Sequence, residues 1–345
     1  MRAPGEHGGP AFAALDLGTN NCRLLIGRPA GRGFTVLDSF NRTVRLGEGL
    51  EESGRLDPAA MDRAIAVLAI CAEHLAHWHV AGLAAVATEA CRHAGNGVEF
   101  LARVRRETGL AIAIITPRDE ARLAIESCAP LLVRVATEGD HAPRRALLFD
   151  IGGGSTELAW LRLDPCGRHS LIGCASIPVG VVTLAERFGD QAATAAGYAA
   201  MTRATAPLLA PFENVHCIAR EIRQGDGSGV LLVGTSGTVT TLAAVALALP
   251  HYRRRLVDGA RLSRADAGRA LAELAALDHA GLLDHPCIGP DRATFVLPGA
   301  AIFAAILGTW SAPQLVVADR GLREGLLLRV MHGHGQRRAG PSPLP

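Results

Sequence analysis

A short motif occurs twice in this chain of 345 residues. An apolar run, an Asp-x-Gly turn and a second apolar run begin at Ala11 and again at Arg145. The two motif aspartates, Asp16 and Asp150, stand 134 residues apart (150 − 16). Short apolar runs broken by glycine-rich turns are typical of buried strands joined by tight reversals. Since a domain usually takes about 100–200 residues, this spacing indicates a duplicated domain.

Other patterns along the chain predict an α/β organisation. Asp57 followed by Pro58 is typical of a helix start, and helical apolar spacing continues to about His79. The polar segment 135–145 contains a proline and marks the predicted passage between the two copies. We predict four parts, namely a mobile leader at 1–10, an N-terminal domain at 11–130, a C-terminal domain at 131–332 and a disordered tail at 333–345.

The chain has no lysine, so all 35 of its basic residues are arginines. A Walker A loop and a pyridoxal-phosphate enzyme each need a lysine, and both classes are therefore excluded. Any anion must be bound by arginine, by backbone N–H groups or through a metal ion. The formal net charge is only +2, which gives no reason to expect binding to nucleic acid.

The eight cysteines form no C-x-x-C pair and show no zinc-ligand spacing with histidine. The first ten residues lack the apolar core of a signal peptide, and no apolar run reaches the roughly 18 residues of a membrane span. We therefore expect a cytoplasmic protein with buried, unreactive thiols that does not bind membranes.

Three glycine-rich turns, at 16–21, 150–156 and 234–238, are candidate anion sites. In such turns backbone N–H groups can approach an anion without a Cβ in the way, and a following helix adds attraction for phosphate. Asp16 and Asp150 open two of them. Each aspartate either holds Mg²⁺ beside the phosphates or only stabilises its own turn, and the sequence leaves both possibilities open.

Several segments together resemble the exopolyphosphatase and guanosine pentaphosphate phosphohydrolase (Ppx/GppA) family in its short two-domain form. They span residues 13 to about 328 in the expected order, and the clearest are ALDLGTNNCRLLI, ITPRDEARL, LFDIGGGSTEL and GTSGTVTTLA. The resemblance implies an α/β fold of two actin-like (ribonuclease H-like) domains of the ATPase superfamily, with a cleft between them.

The same resemblance implies roles for individual residues. Glu120 matches the general base that activates water, and Asp150 and Glu157 match residues that position metal and water. Arg92 matches an arginine expected to grip the phosphate chain. Metal ligands are expected at Asp16, Asp150 and Glu157. The predicted phosphate-binding residues are Gly18, Thr19, Asn20, Asn21, Arg92, Gly152, Gly153, Gly154, Ser155, Thr156, Gly234, Thr235, Ser236, Gly237 and Thr238.

The leading prediction is release of terminal orthophosphate from inorganic polyphosphate, with Mg²⁺ as cofactor. Conversion of pppGpp to ppGpp is the first alternative, and a non-catalytic sensor of (p)ppGpp or polyphosphate is the second. A kinase-like transferase of the same fold is disfavoured because no adenosine-binding motif is evident. Two-domain relatives suggest a homodimer, while the sequence leaves open whether K⁺ assists Mg²⁺.

Overall fold

A computed structural model describes residues 9–31, 33–138, 143–166, 168–224 and 229–339. The described chain forms two compact units. The first takes in the residues up to Thr116 and those from Leu322 onward, and the second runs from Pro117 to Gly321. Most of the expected leader and the end of the expected tail lie outside the described residues.

The first unit is built on a five-stranded mixed sheet in the order β3-β2-β1-β4-β5. Strands β3, β2 and β1 form an antiparallel meander, and β4 and β5 continue the sheet in parallel with β1. The strands are β1 (Phe12–Leu17), β2 (Asn21–Ala30), β3 (Gly33–Thr43), β4 (Gly82–Ala87) and β5 (Ala113–Ile114).

Four helices connect these strands, α1 (Leu50–Ser53), α2 (Pro58–Trp78), α3 (Glu89–His93) and α4 (Gly97–Thr108). The predicted start of α2 is confirmed, because the Asp57 carboxylate accepts the N–H groups of Ala59 and Ala60. The buried face of α2 includes Leu68 and Cys71 and belongs to the same apolar core as the strands.

The second unit has a six-stranded mixed sheet in the order β10-β11-β9-β6-β7-β8. Its strands are β6 (Arg145–Ile151), β7 (Thr156–Leu163), β8 (His169–Ile177), β9 (Val230–Thr235), β10 (Arg261–Ser263) and β11 (Gln314–Ala318). Its helices are α5 (Pro117–Thr137), α6 (Val181–Phe188), α7 (Ala195–His216), α8 (Ile218–Gln224), α9 (Gly237–Ala246), α10 (Arg254–Val257), α11 (Arg264–Ala276), α12 (His279–Asp284) and α13 (Pro290–Thr309), with a 3₁₀ turn at Gly189–Ala193.

The two sheets repeat one plan, as the duplicated motif predicted. Strands β6, β7 and β8 form an antiparallel meander like that of β1, β2 and β3. Two strands then continue each sheet in parallel with the first strand of its meander. The hairpin registers also correspond, since Asp16 pairs with Arg23 in the first unit and Asp150 with Glu157 in the second.

The last helix of each copy packs away from its own copy's sheet. Helix α5 follows β5 in sequence but covers β7 and β8, while α14 (Leu322–Ala339) follows β11 and packs on β1, β2 and β4. The units therefore change at 116/117 and 321/322 instead of at the expected 130/131, and the expected disordered tail is helical up to Ala339. Each helix belongs to the unit in which its apolar face is buried. The helical pattern in the sequence shows that such a face exists, but not which sheet covers it.

Cysteine burial only partly follows the expectation. Cys166 and Cys217 are exposed and Cys174 is partly exposed, whereas the other five thiols are buried. One helical window, Arg292–Thr309 in α13, is long and apolar enough to cross a membrane, but 67% of it is buried inside the second unit. Its core packing accounts for that apolar composition.

Candidate functional site

Within the first predicted turn, 16–21, residues 18–21 close the hairpin between β1 and β2. The Gly18 N–H donates to the Asn21 carbonyl at 2.9 Å, and the Gly47 N–H donates to the Thr19 carbonyl at 2.9 Å. A Cβ on Gly47 would lie 2.3 Å from the Cγ2 of Thr19, so the supporting segment approaches the turn more closely than a side chain allows. Among the described residues, the buried Oδ1 of Asn20 has no hydrogen-bond partner.

Asp16 is buried at the end of β1 and faces a positive charge of its own unit. Its carboxylate lies 4.0 Å from the Arg23 guanidinium on the neighbouring strand. Burial raises the pKa of Asp16 above its usual value, and Arg23 offsets part of that rise. The charge of Asp16 is therefore only partly compensated within the first unit.

We expect Asp16→Asn to make the protein more resistant to heat at neutral pH. A carboxyl whose folded-state pKa is raised gives its full stability below the unfolded-state value, near 4, and loses stability as the pH rises through the folded-state pKa. The neutral amide avoids this loss. Thermal unfolding of both proteins from pH 4 to pH 8 should show a difference in Tm that grows as the pH rises. A difference in Tm that stays constant would contradict the burial argument.

Arg92 lies on α3, which begins directly after β4, the parallel neighbour of β1. Its guanidinium forms an ion pair with Glu89 and also donates from Nη1 to the Ile115 carbonyl at 2.7 Å. The predicted phosphate-gripping arginine is thus held in place by an acid and a carbonyl of the first unit.

Within the second predicted turn, 150–156, residues 152–156 repeat the conformation of the first. The Gly152 N–H donates to the Ser155 carbonyl at 2.9 Å, which matches the Gly18 to Asn21 bond. The start of α6 holds this turn from behind, because Val181 N–H donates to the Gly152 carbonyl at 3.0 Å and Val182 N–H to the Gly153 carbonyl at 2.8 Å. The two copies therefore carry the same turn, each fixed through its carbonyl groups.

Asp150 and Glu157 form an acidic pair on one face of the second sheet. They stand directly opposite each other on β6 and β7, where Cβ atoms of antiparallel partners are about 4.5–5.5 Å apart. Glu157 is only 6% exposed and accepts hydrogen bonds from Ser155 Oγ at 2.6 Å and Ser176 Oγ at 3.0 Å. Two negative charges at directly opposite positions destabilise a sheet. A cation bound between the two carboxylates would offset this repulsion.

The two copies differ in charge at the position of Glu157. The first unit has an arginine, Arg23, where the second has Glu157. A divalent cation therefore fits the second unit better on charge alone. No group of three or more His, Cys, Asp or Glu side chains suited to a metal occurs within the described part of the chain. Mg²⁺ does not need three such side chains, since it is commonly held by one or two carboxylates together with water and substrate phosphates.

The third predicted turn, residues 234–238, lies beside the second. Thr235 at the end of β9 pairs with Asp150 on β6, and α9 begins at Gly237. The Thr235 hydroxyl donates to the Arg320 carbonyl, so this hydroxyl links β9 to the segment that follows β11. Ser236 has φ +103°, a conformation that L-residues rarely adopt, and its buried Oγ has no partner among the described residues. Strain of this kind persists where surrounding structure enforces it, often at functional sites.

Glu120 lies in the first turn of α5 and is only 6% exposed. Pro117 opens this helix at a position where proline is well tolerated. Helix α5 packs on β7 and β8, the strands that carry Glu157 and Ser176. The helix that carries the predicted base therefore covers β7, the strand that carries Glu157 of the acidic pair.

The predicted residues fall into two groups. The second unit holds Glu120, Asp150, Glu157 and the turns 152–156 and 234–238, and its sheet register places the acidic pair and both turns side by side. Asp16, Arg92 and the turn 18–21 lie in the first unit.

Sequence reasoning missed four contributors, Arg23, Gly47, Ser176 and Gly180. Arg23 and Ser176 face acids across a strand pair, and Gly47 and Gly180 support the turns from segments remote in sequence. Gly47 and Gly180 do stand in the segments VRLGEGL and IPVGVVTLAE, where a glycine directly after an apolar residue was the available signal.

Comparison with known proteins gives consistent matches along the chain. The model of the Ppx/GppA phosphatase family matches residues 25–334. The guanosine-5'-triphosphate,3'-diphosphate pyrophosphatase of Aeromonas salmonicida (strain A449) is 30% identical over 330 residues, covering 94% of this chain. The chain spans only 60% of the length of that relative.

Solved structures show the same fold. The Aquifex aeolicus PPX-GPPA enzyme is 28% identical with a TM-score of 0.72, covering 93% of this chain and 99% of the other. An exopolyphosphatase from Cytophaga hutchinsonii ATCC 33406 has a TM-score of 0.78 at 24% identity, covering 94% of this chain and 98% of the other, and supports the fold alone. These likenesses confirm the predicted α/β fold with actin-like domains.

Proposed function

Because the chain belongs to the Ppx/GppA phosphatase family, we propose that it hydrolyses the terminal phosphoanhydride bond of a polyphosphorylated substrate. The observation that carries this proposal is the acidic pair of Asp150 and Glu157, set between two glycine-rich turns of one sheet. Phosphate hydrolysis needs positioning, charge neutralisation and an oriented water, and this arrangement offers groups for each.

In the proposed reaction Glu120 takes a proton from the attacking water, which bonds to the terminal phosphorus while the bond to the bridging oxygen breaks. Orthophosphate leaves, and the shortened chain keeps the bridging oxygen. Backbone N–H groups of the turns 152–156 and 234–238 are proposed to bind the phosphate oxygens. Ser155 and Ser176 hold the Glu157 carboxylate by donating to it, so its position is set before substrate binds.

A divalent metal, Mg²⁺ in our proposal, fits the donor set of Asp150 and Glu157. Carboxylate oxygens suit hard cations, and two opposed acids supply the charge that such an ion balances. When bound, the ion would neutralise charge on the phosphates. Asp16 stays a predicted ligand, although Arg23 already supplies one positive charge beside it. Arg92 and the turn 18–21 stay proposed phosphate-binding groups.

Two substrates are candidates, inorganic polyphosphate and pppGpp. The name of the Aeromonas relative favours the guanosine compound, and the lysine-free turns are compatible with either. Cytoplasmic location, a homodimer and K⁺ activation also remain proposals.

Side-by-side rates of orthophosphate release test the proposal. Long-chain polyphosphate, tripolyphosphate, pppGpp and ATP should be compared with and without Mg²⁺, for wild type and for Asp150→Asn. We expect Mg²⁺-dependent release from polyphosphate or pppGpp that Asp150→Asn greatly weakens. Binding of either compound without release would instead support a sensor, and phosphate transfer from ATP to an acceptor would support a transferase.

A further inference from the structure

A groove in the second unit opens between the first turns of α5 and strand β8. This open groove has a volume of ≈ 690 Å³, which lies within the roughly 300–1,000 Å³ typical of small-molecule sites and is larger than a single phosphate needs. No residue of the proposed reaction lines it. The residues that matter for its chemistry are Arg118, Arg122, Glu126, His169, Ile172 and Cys174.

The wall of the groove that α5 forms carries two arginines. Arg118 and Arg122 are one helical turn apart and so lie on the same face of α5. The Arg118 side chain has no hydrogen bond or ion pair with any residue that the structure describes, and the Arg122 side chain has only a long contact of 4.0 Å with Asp119. Two such guanidinium groups can each bind two phosphate oxygens at little cost in broken contacts.

The wall that β8 forms offers an apolar surface, with hydrogen-bonding groups among the other lining residues. A register shift opposite Trp160 and Leu161 leaves Ile172 without a partner on β7, and its side chain is 41% exposed. Bulges of this kind often re-aim a side chain near a binding site. Burial lowers the pKa of His169, so its imidazole is neutral at pH 7 and offers one donor and one acceptor. The Glu126 carboxylate adds acceptors.

We propose that this groove binds a nucleoside phosphate, with its phosphates at Arg118 and Arg122 and its base over Ile172. A planar heterocycle fits an exposed apolar surface flanked by an acceptor carboxylate and a neutral imidazole. An inorganic polyphosphate does not fit this groove. The Glu126 carboxylate would repel it, and the apolar surface at Ile172 offers it no hydrogen bond or charge. This site does not depend on the proposed hydrolase function.

The site also lies apart from the proposed base. Glu120 is two residues from each arginine, which turns its side chain to the other side of the helix. Its burial and the exposure of both arginines agree with this.

Alkylation of Cys174 gives a readout local to the groove. Cys174 lines it and is partly exposed, while Cys166 and Cys217 are exposed and do not line it. The rate of modification of each thiol by N-ethylmaleimide should be measured by mass spectrometry with GDP, ADP or pyrophosphate. At a concentration about ten times its Kd, a nucleotide bound in the groove should lower the rate of Cys174 modification about tenfold. The rates of Cys166 and Cys217 should not change.

Two double variants complete the test. Arg118→Ala with Arg122→Ala should abolish protection, and Arg203→Ala with Arg220→Ala, which removes two exposed charges elsewhere in the unit, should preserve it. The buried thiol of Cys128 should stay unmodified in each double variant, which shows that the variant is folded. The proposal is overturned if neither nucleotide protects at millimolar concentration, or if protection survives loss of Arg118 and Arg122. Equal protection by pyrophosphate would overturn the assignment of a base-binding surface.

Discussion

Replacing Glu120 with Gln should lower the turnover number by about 10²–10⁴-fold, the usual contribution of a general base. The amide keeps the volume and burial of the side chain but cannot take a proton from water. Because Glu120 is proposed to act on the water and not to bind the phosphates, KM should change little. Steady-state phosphate release over a range of substrate concentrations measures both quantities.

Asp119→Asn is the matched control for this variant. Asp119 is the preceding residue in the same helical turn, its side chain is 37% exposed, and its carboxylate lies 4.0 Å from the Arg122 guanidinium. Its loss should leave turnover near that of the wild type, since exposed pairs contribute little. If Glu120→Gln turned over as fast as Asp119→Asn, Glu120 would not be the base.

Gly180→Ala should destabilise the second unit by about 1–3 kcal/mol, as added volume does in a well-packed region. A Cβ at Gly180 would lie 2.3 Å from the Gly153 carbonyl oxygen and 2.4 Å from its carbon. Either Gly180 or the turn 152–156 must then move. Because that turn stands beside the acidic pair, we also expect a large loss of activity at temperatures where the variant is folded. Thermal unfolding and phosphate release test the two effects separately.

Gly268→Ala provides the control for this substitution. Gly268 lies inside α11, and a Cβ there would meet nothing within 4 Å. Alanine is favoured over glycine in a helix by about 1 kcal/mol, so this variant should be as stable as the wild type or more stable. A Gly180→Ala protein as stable and active as Gly268→Ala would show that the turn tolerates displacement.

Much of the fold was predictable because its signals are local. Apolar runs and glycine turns predicted the duplicated hairpins, and Asp57 with Pro58 predicted the start of α2. The sheets on which α5 and α14 pack were not predictable, because an amphipathic pattern shows that a helix has a buried face but not which sheet covers that face.

The candidate site divides in the same way. The turns were evident from composition, and the resemblance supplied Glu120, Asp150 and Glu157. The opposition of Asp150 and Glu157 depends on hairpin register, and the support of the turn by Gly180 depends on packing between distant segments. The positive φ of Ser236 is imposed by its surroundings and not by its residue type.

Hydrolysis in ¹⁸O-labelled water tests the central claim most directly. The wild-type protein should be given pppGpp, and separately tripolyphosphate, with Mg²⁺, and the products analysed by mass spectrometry. If water attacks the terminal phosphorus, each released orthophosphate carries one ¹⁸O and the remaining ppGpp or pyrophosphate carries none. Label in the shortened product, or no orthophosphate from either compound, would contradict the account.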